Sequence, residues 1–179
     1  MFNIILNQLK ETKELVAMYN NKYDSSAFFV GVIIDTDEYY THLSTVSPSA
    51  LYDGHVVIKN EDIHKIELRS RYIKKIDFLL KDNKVKFDFS CCNKKDSSLL
   101  LSILKYCENN SIVVTISLDY DDNNHTGFIN IMDDDICSIS VLDEYGTDDG
   151  LVYFSINTIS KLVFDGMYEK QTKKYLNSL

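Results

Sequence analysis

The chain reads as a mainly β, α+β protein built from two tandem copies of one small module, each a short N-terminal helix followed by five strands. Three observations predict this. Shifted by 96 residues, the sequence lies over itself: Gly31 falls on Gly127, Ile33 on Ile129, Asp37 on Asp133, Asp53-Gly54 on Asp149-Gly150, Ile63 on Ile159 and Lys65 on Lys161. The apolar positions agree over the same span, Val32 with Phe128, Leu43 with Ile139, Val56 with Val152 and Ile58 with Phe154. They alternate as half-buried strands require. Turn-forming breaks separate the runs, as at Asp119 to Asn124 and Asp143 to Asp149. Unrelated hairpins would share alternation and a turn glycine, but not one register through two turns and both Asp-Gly pairs.

The elements follow in order. Phe2, Ile5, Leu6 and Leu9 share one helical face, which predicts an opening helix up to Lys13. Five strands are then expected at Glu14 to Asn20, Ala27 to Asp35, Glu38 to Val46, Gly54 to Lys59 and Ile63 to Leu68. Residues 69–90 read as an added hairpin, Ile73 to Leu80 and Val85 to Phe89, turning at Lys81-Asp82-Asn83-Lys84. The second copy restarts with Asp96-Ser97 as N-cap and Leu99, Leu100, Ile103, Leu104 and Cys107 as the helix face. Its strands are expected at Ile112 to Leu118, His125 to Met132, Asp135 to Leu142, Gly150 to Ser155 and Ile159 to Phe164. Tyr168, Thr172, Tyr175, Leu176 and Leu179 recur at helical spacing, so the tail reads as a C-terminal helix packing on its own module. The two modules divide the chain at 1–94 and 95–179.

Composition bounds the class. With 45% apolar residues and one Pro, the 179-residue chain is ordered and long enough for two small cores. It has no membrane-length apolar run and no basic-then-apolar N-terminus, so a cytoplasmic protein with no membrane contact is expected. Cys91, Cys92, Cys107 and Cys137 fit neither a disulfide framework nor a zinc site, and read as reduced thiols. The net charge of −8 hides an asymmetry: Lys59 to Lys95 carries 11 Lys and Arg against 6 acids, whereas Asp96 to Asp165 carries 2 Lys against 13 acids. The overall sign disfavours nucleic acid.

A helix followed by five short strands, with Gly31/Asp37 and Gly127/Asp133 six residues apart, resembles the Sm-like (LSm) fold, a small SH3-like barrel. The second motif matches as well, Gly54 leading to Ile58, Ile63 and Ile66, and Gly150 to Phe154, Ile159 and Leu162. A different SH3-like barrel would satisfy the same strand count. The resemblance implies a bent antiparallel barrel in each half, edges able to pair in homo-oligomers, and single-stranded RNA as the ligand of the resembled family. The positions of the family's base-contacting Asn hold Thr41 and Cys137, and those of its Arg-Gly pair hold Lys59-Asn60 and Ser155-Ile156. RNA binding is therefore not carried over with the fold.

Catalysis and cofactors are not expected. Asp119/Asp121/Asp122 and Asp133/Asp134/Asp135 suggest a metal, yet a calcium loop from Asp119 would meet Asn124 and Asn130 where Gly and Glu are needed. His42, His55, His64 and His125 show no ligand spacing, and no nucleophile or phosphate-loop signature occurs. The expected role is a protein-binding adaptor or inhibitor, for which a toxin-neutralising immunity protein is one form. Its acidic candidates are Asp133, Asp134, Asp135, Asp148 and Asp149. The basic candidates are Lys59, Arg69, Arg71, Tyr72, Lys74 and Lys75, which would serve RNA in the alternative reading. Gly31, Asp37, Gly54, Gly127, Asp133 and Gly150 are assigned to the fold.

Overall fold

The structure, a computed structural model, describes residues 2–21, 24, 26–88, 98–121 and 123–178. It is mainly β with four helices, and the chain divides into two compact units, Met1–Cys92 and Asn93–Leu179. The boundary expected between residues 94 and 95, the Asp96-Ser97 cap, Cys91, Cys92 and Phe89 lie outside the described residues.

The first unit runs α1 (Asn3–Thr12), β1 (Val16–Tyr19), β2 (Phe29–Thr36), β3 (Tyr40–Val46), β4 (Tyr52–Lys59), β5 (Lys65–Leu68) and α2 (Arg71–Asp82). All five expected strands are present, antiparallel in the order β5-β1-β2-β3-β4. Leu6 and Leu9 of α1 point inward while Ile5 stays exposed. The helix stops at Lys13, which turns left-handed (φ 53°) and donates its N–H to the Leu9 carbonyl at 3.0 Å. Where β2 crosses β3, a Cβ on Gly31 would lie 2.1 Å from the Ser44 carbonyl oxygen. Only glycine lets the two backbones approach so closely.

The expected hairpin over residues 69–90 is wrong. Residues 71–82 form α2, capped by Ser70, whose Oγ accepts the Ile73 N–H at 3.3 Å. Ile73, Ile76 and Leu80 recur with helical, not alternating, period, and they close the core over Ala17, Val30, Val32, Ile34 and Val46. The stretch read as a turn, Lys81 to Lys84, is the helix end, with the Val85 N–H bonded to the Leu80 carbonyl at 3.1 Å. Residues 85–88 form no strand.

The second unit runs α3 (Leu99–Asn109), β6 (Val113–Leu118), β7 (Asn124–Ile131), β8 (Ile136–Leu142), β9 (Asp148–Ser155), a 3-10 turn (Ile156–Thr158), β10 (Ile159–Phe164) and α4 (Met167–Leu176). Its strand order, β10-β6-β7-β8-β9, reproduces the first unit position by position. Ser98 caps α3, its Oγ accepting the Leu101 N–H at 3.4 Å. A Cβ on Gly127 would lie 1.9 Å from the Ser140 carbonyl oxygen, the same crossing as at Gly31 and Ser44.

The repeat is both longer and less regular than the sequence comparison indicates. From β2 onward, three left-handed backbone positions recur at an offset of 96. Ala50 and Gly146 have positive φ (54° and 71°), as do Gly54 and Gly150 (73° and 99°) and Arg69 and Asp165 (56° and 58°). Helices α2 and α4 start at equivalent residues, so 69–90 belongs largely to the repeat rather than to an insertion. Before β2 the offset is 98: Val16 faces Gly31 as Val114 faces Gly127, and left-handed Lys13 corresponds to left-handed Ser111. The shorter β6–β7 turn then restores the register.

Helix α4 packs inward through only part of its expected face. Glu169 and Thr172 are its buried residues, Glu169 Oε1 accepting the Thr115 hydroxyl at 2.6 Å, whereas Tyr168 and Tyr175 are exposed. Leu179 lies outside the described residues.

Candidate functional site

The repeated aspartates build turns. Asp37 Oδ1 accepts the N–H groups of Tyr39 and Tyr40 at 2.9 and 2.8 Å, and Asp133 Oδ1 accepts those of Asp135 and Ile136, both at 2.8 Å. This side chain fixes the β2–β3 and β7–β8 reversals by satisfying donors that the bend leaves over. Asp148 does similar work, its Oδ1 accepting the Gly150 N–H at 3.0 Å. Asp121 Oδ1 accepts the Asn123 N–H at 2.9 Å and its Oδ2 meets His125 Nε2 at 2.9 Å; these contacts, the backbone one first, hold its carboxyl below the usual range. Among the described residues, no group of three His, Cys, Asp or Glu side chains is placed to hold a metal ion.

The basic candidates separate. Lys59, at the end of β4, pairs with Glu61 at 2.9 Å. Arg69 grips Glu14 with two bonds, Nε to Oε1 at 2.6 Å and Nη2 to Oε2 at 3.2 Å, so its guanidinium ties the start of α2 to the end of α1. Tyr72, expected as an exposed ring between cations, is half-buried and stands edge-on to Phe28, ring centroids 5.6 Å apart at 89°. Arg71, Lys74 and Lys75 remain exposed on the outer face of α2. The exposed aromatic among them is Phe78, 69% accessible, which sequence reading missed. Arg71, Lys74, Lys75 and Phe78 stand at i, i+3, i+4 and i+7, opposite Ile73, Ile76 and Leu80, so assigning a helix there would have found it.

The acidic candidates gather in the second unit at the two ends of β9. Asp148 and Asp149 open the strand, while Asp134 and Asp135 precede Ile136, which faces Ser155 at its far end. All four are exposed. Lys105 is the nearest cation to Asp134, at 3.9 Å. No Lys or Arg occurs between Lys105 and Lys161, so the negative field over this surface is little offset locally. Between the acids, Leu151 and Tyr153 point to one face and are 49% and 61% accessible. Across on β8 they meet only Ser140 and Ser138.

The equivalent face of the first unit carries something else. His42 Nε2 lies 3.0 Å from His55 Nδ1, and His55 Nε2 lies 2.9 Å from the Tyr52 hydroxyl. His42 and His55 are buried. Burial pushes the His42 pKa well below its ordinary value, assisted by His55 and by Lys13, whose ammonium bonds the Ile33 and Ile34 carbonyls. No spacing rule links residues 42, 52 and 55; the β3–β4 register brings them together, with His42 opposite Val57 and Ser44 opposite His55.

Cys107 and Cys137 are free and buried. Burial pushes both thiols up, that of Cys137 to about 12, so neither presents a thiolate at neutral pH. Cys107 contributes to the wall of a shallow depression of about 250 Å³ with Glu108, Ile112 and Phe128. No helix among the described residues is long and apolar enough to cross a membrane.

The fold defines a class, an internally duplicated α+β protein in which each unit is a helix, five antiparallel strands and a second helix. No protein-family model, curated protein or solved structure matches the chain.

Proposed function

We propose that the chain is a non-enzymatic binding protein of two tandem Sm-like barrels, acting as an adaptor or inhibitor through the second unit's acidic face toward a basic protein partner. The observation that carries this reading is the β8–β9 surface, where exposed Leu151 and Tyr153 lie between two pairs of acids. Apolar area supplies affinity on release of water, and the surrounding charge selects and steers a cationic partner. The strand order and the Gly31/Gly127 crossings support the Sm-like assignment. A toxin-neutralising immunity protein is one form of such a role.

A second reading rests on one specific observation, the exposed Phe78 among Arg71, Lys74 and Lys75. A ring for base stacking beside cations for phosphate is what single-stranded RNA needs. Affinity capture from the source cells after nuclease treatment separates the two. The protein-binding reading predicts a retained basic protein, lost when Asp134, Asp135, Asp148 and Asp149 are all changed to Asn. Retention of RNA alone, lost in Arg71→Ala/Lys74→Ala/Lys75→Ala, overturns it.

A further inference from the structure

We infer that β9 receives an extended segment of a partner protein, alternating basic and apolar residues, as an added antiparallel or parallel strand along its outer edge. This rests on the reading of the acidic face as the binding surface and specifies how that surface binds. β9 ends the strand order of its unit and pairs only with β8 among the described residues. A terminal strand presents a row of backbone N–H and C=O groups with the spacing of a strand template. Strands left in that position are commonly blunted by charged side chains, proline, bulges or very short length. β9 is eight residues long without proline, and its two charges, Asp148 and Asp149, and its register shift all fall ahead of Leu151, leaving 151–155 uncharged and regular.

The side chains define the chemistry of the occupant. Leu151 and Tyr153 stand on one face with only serines beside them on β8, so an incoming strand can place its own apolar residues against them as cross-strand neighbours. The equivalents in the first unit, His55 and Val57, are 2% and 0% accessible. Acids lie at both ends of β9, and an acidic segment would be repelled at either end while a basic one is attracted at both. A second copy's β9 would bring the same four carboxylates together, and a second copy's β5 is only four residues long with Lys65 and Glu67 offsetting each other in charge. The complement is therefore a cationic strand from another protein.

The test uses the full chain and a fluorescent ten-residue peptide alternating lysine and valine, followed by anisotropy. Micromolar binding is expected. It weakens about tenfold or more when alternate backbone nitrogens of the peptide are methylated, and likewise in Leu151→Lys/Tyr153→Lys. Both changed residues are exposed, and thermal unfolding checks that the variant is folded; the methylated peptide tests the same point on the unaltered chain. Equal binding of the methylated and unmethylated peptides overturns strand addition and leaves the acidic-face reading standing. Binding that is unchanged after all four acids become Asn, or that is equal for a glutamate-valine peptide, overturns that reading as well. Failure to bind any of these peptides overturns the inference, as does a dimer that Leu151→Lys/Tyr153→Lys dissolves.

Discussion

In the first unit, the β3–β4 face holds His42, His55 and half-buried Tyr52 in a hydrogen-bonded chain, both histidines buried; in the second, the same places are taken by Ser138, which is also buried, and by Leu151 and Asp148, which are exposed. The backbones that carry these side chains match turn for turn. Duplication has thus preserved what the chain path requires, glycines at the crossings and aspartates at the reversals, while the side chains on the face have diverged. His55 and Val57 are buried where Leu151 and Tyr153 are exposed. Positions constrained by backbone geometry are the same in both copies, and the side chains that differ most in burial lie on this face.

The largest expected effect breaks the equivalence directly. Val57→Lys places an unpaired ammonium in a buried site and should destabilise the chain by about 4 kcal/mol, whereas the equivalent Tyr153→Lys should change stability by less than about 0.5 kcal/mol. Urea unfolding of both variants checks the contrast. Next come the crossings, where the copies should behave alike. Gly31→Ala and Gly127→Ala each drive a Cβ against backbone that cannot yield, and each should cost about 3 kcal/mol by the same measurement.

The units should then separate with pH. His42 is held neutral in the fold, its pKa below the unfolded value of about 6.5. Below that pH the unfolded chain binds a proton that the folded site refuses, so stability present above about pH 6.5 is lost as pH falls, at up to about 1.4 kcal/mol per pH unit. The second unit has Ser138 at that position. Its Asp121 and Asp143 have depressed pKa values, which contribute stability above the ordinary carboxylate range that is lost only in stronger acid. Residue-resolved hydrogen exchange from pH 7 to pH 5 should show the first unit loosening ahead of the second. The smallest effect is again shared: Asp37→Ala and Asp133→Ala each remove the acceptor of two turn N–H groups and should each cost about 1 kcal/mol.

The sequence discloses most of the backbone, because glycine, aspartate and alternating apolar residues have local requirements that survive divergence. All ten strands fall where alternation puts them. Residues 71–82 read as a strand only when the Ser70 cap and the helical spacing of Ile73, Ile76 and Leu80 are both passed over. That error hid Phe78, whose exposure is defined only by the helix. The surface at β9 is half legible: its acids stand out in the sequence, but Leu151 and Tyr153 look like core residues in an alternating strand. Their exposure depends on what lies beside β9, which no local pattern encodes. The same holds for the histidine chain, made by strand register and not by spacing.

Hydrogen–deuterium exchange on the full chain, with and without the lysine-valine peptide, tests most directly whether the open face is where this protein binds. The expected result is slowed exchange confined to backbone amides of β8 and β9, with β3, β4 and α2 unchanged. Slowing confined to α2, around Phe78, would contradict it.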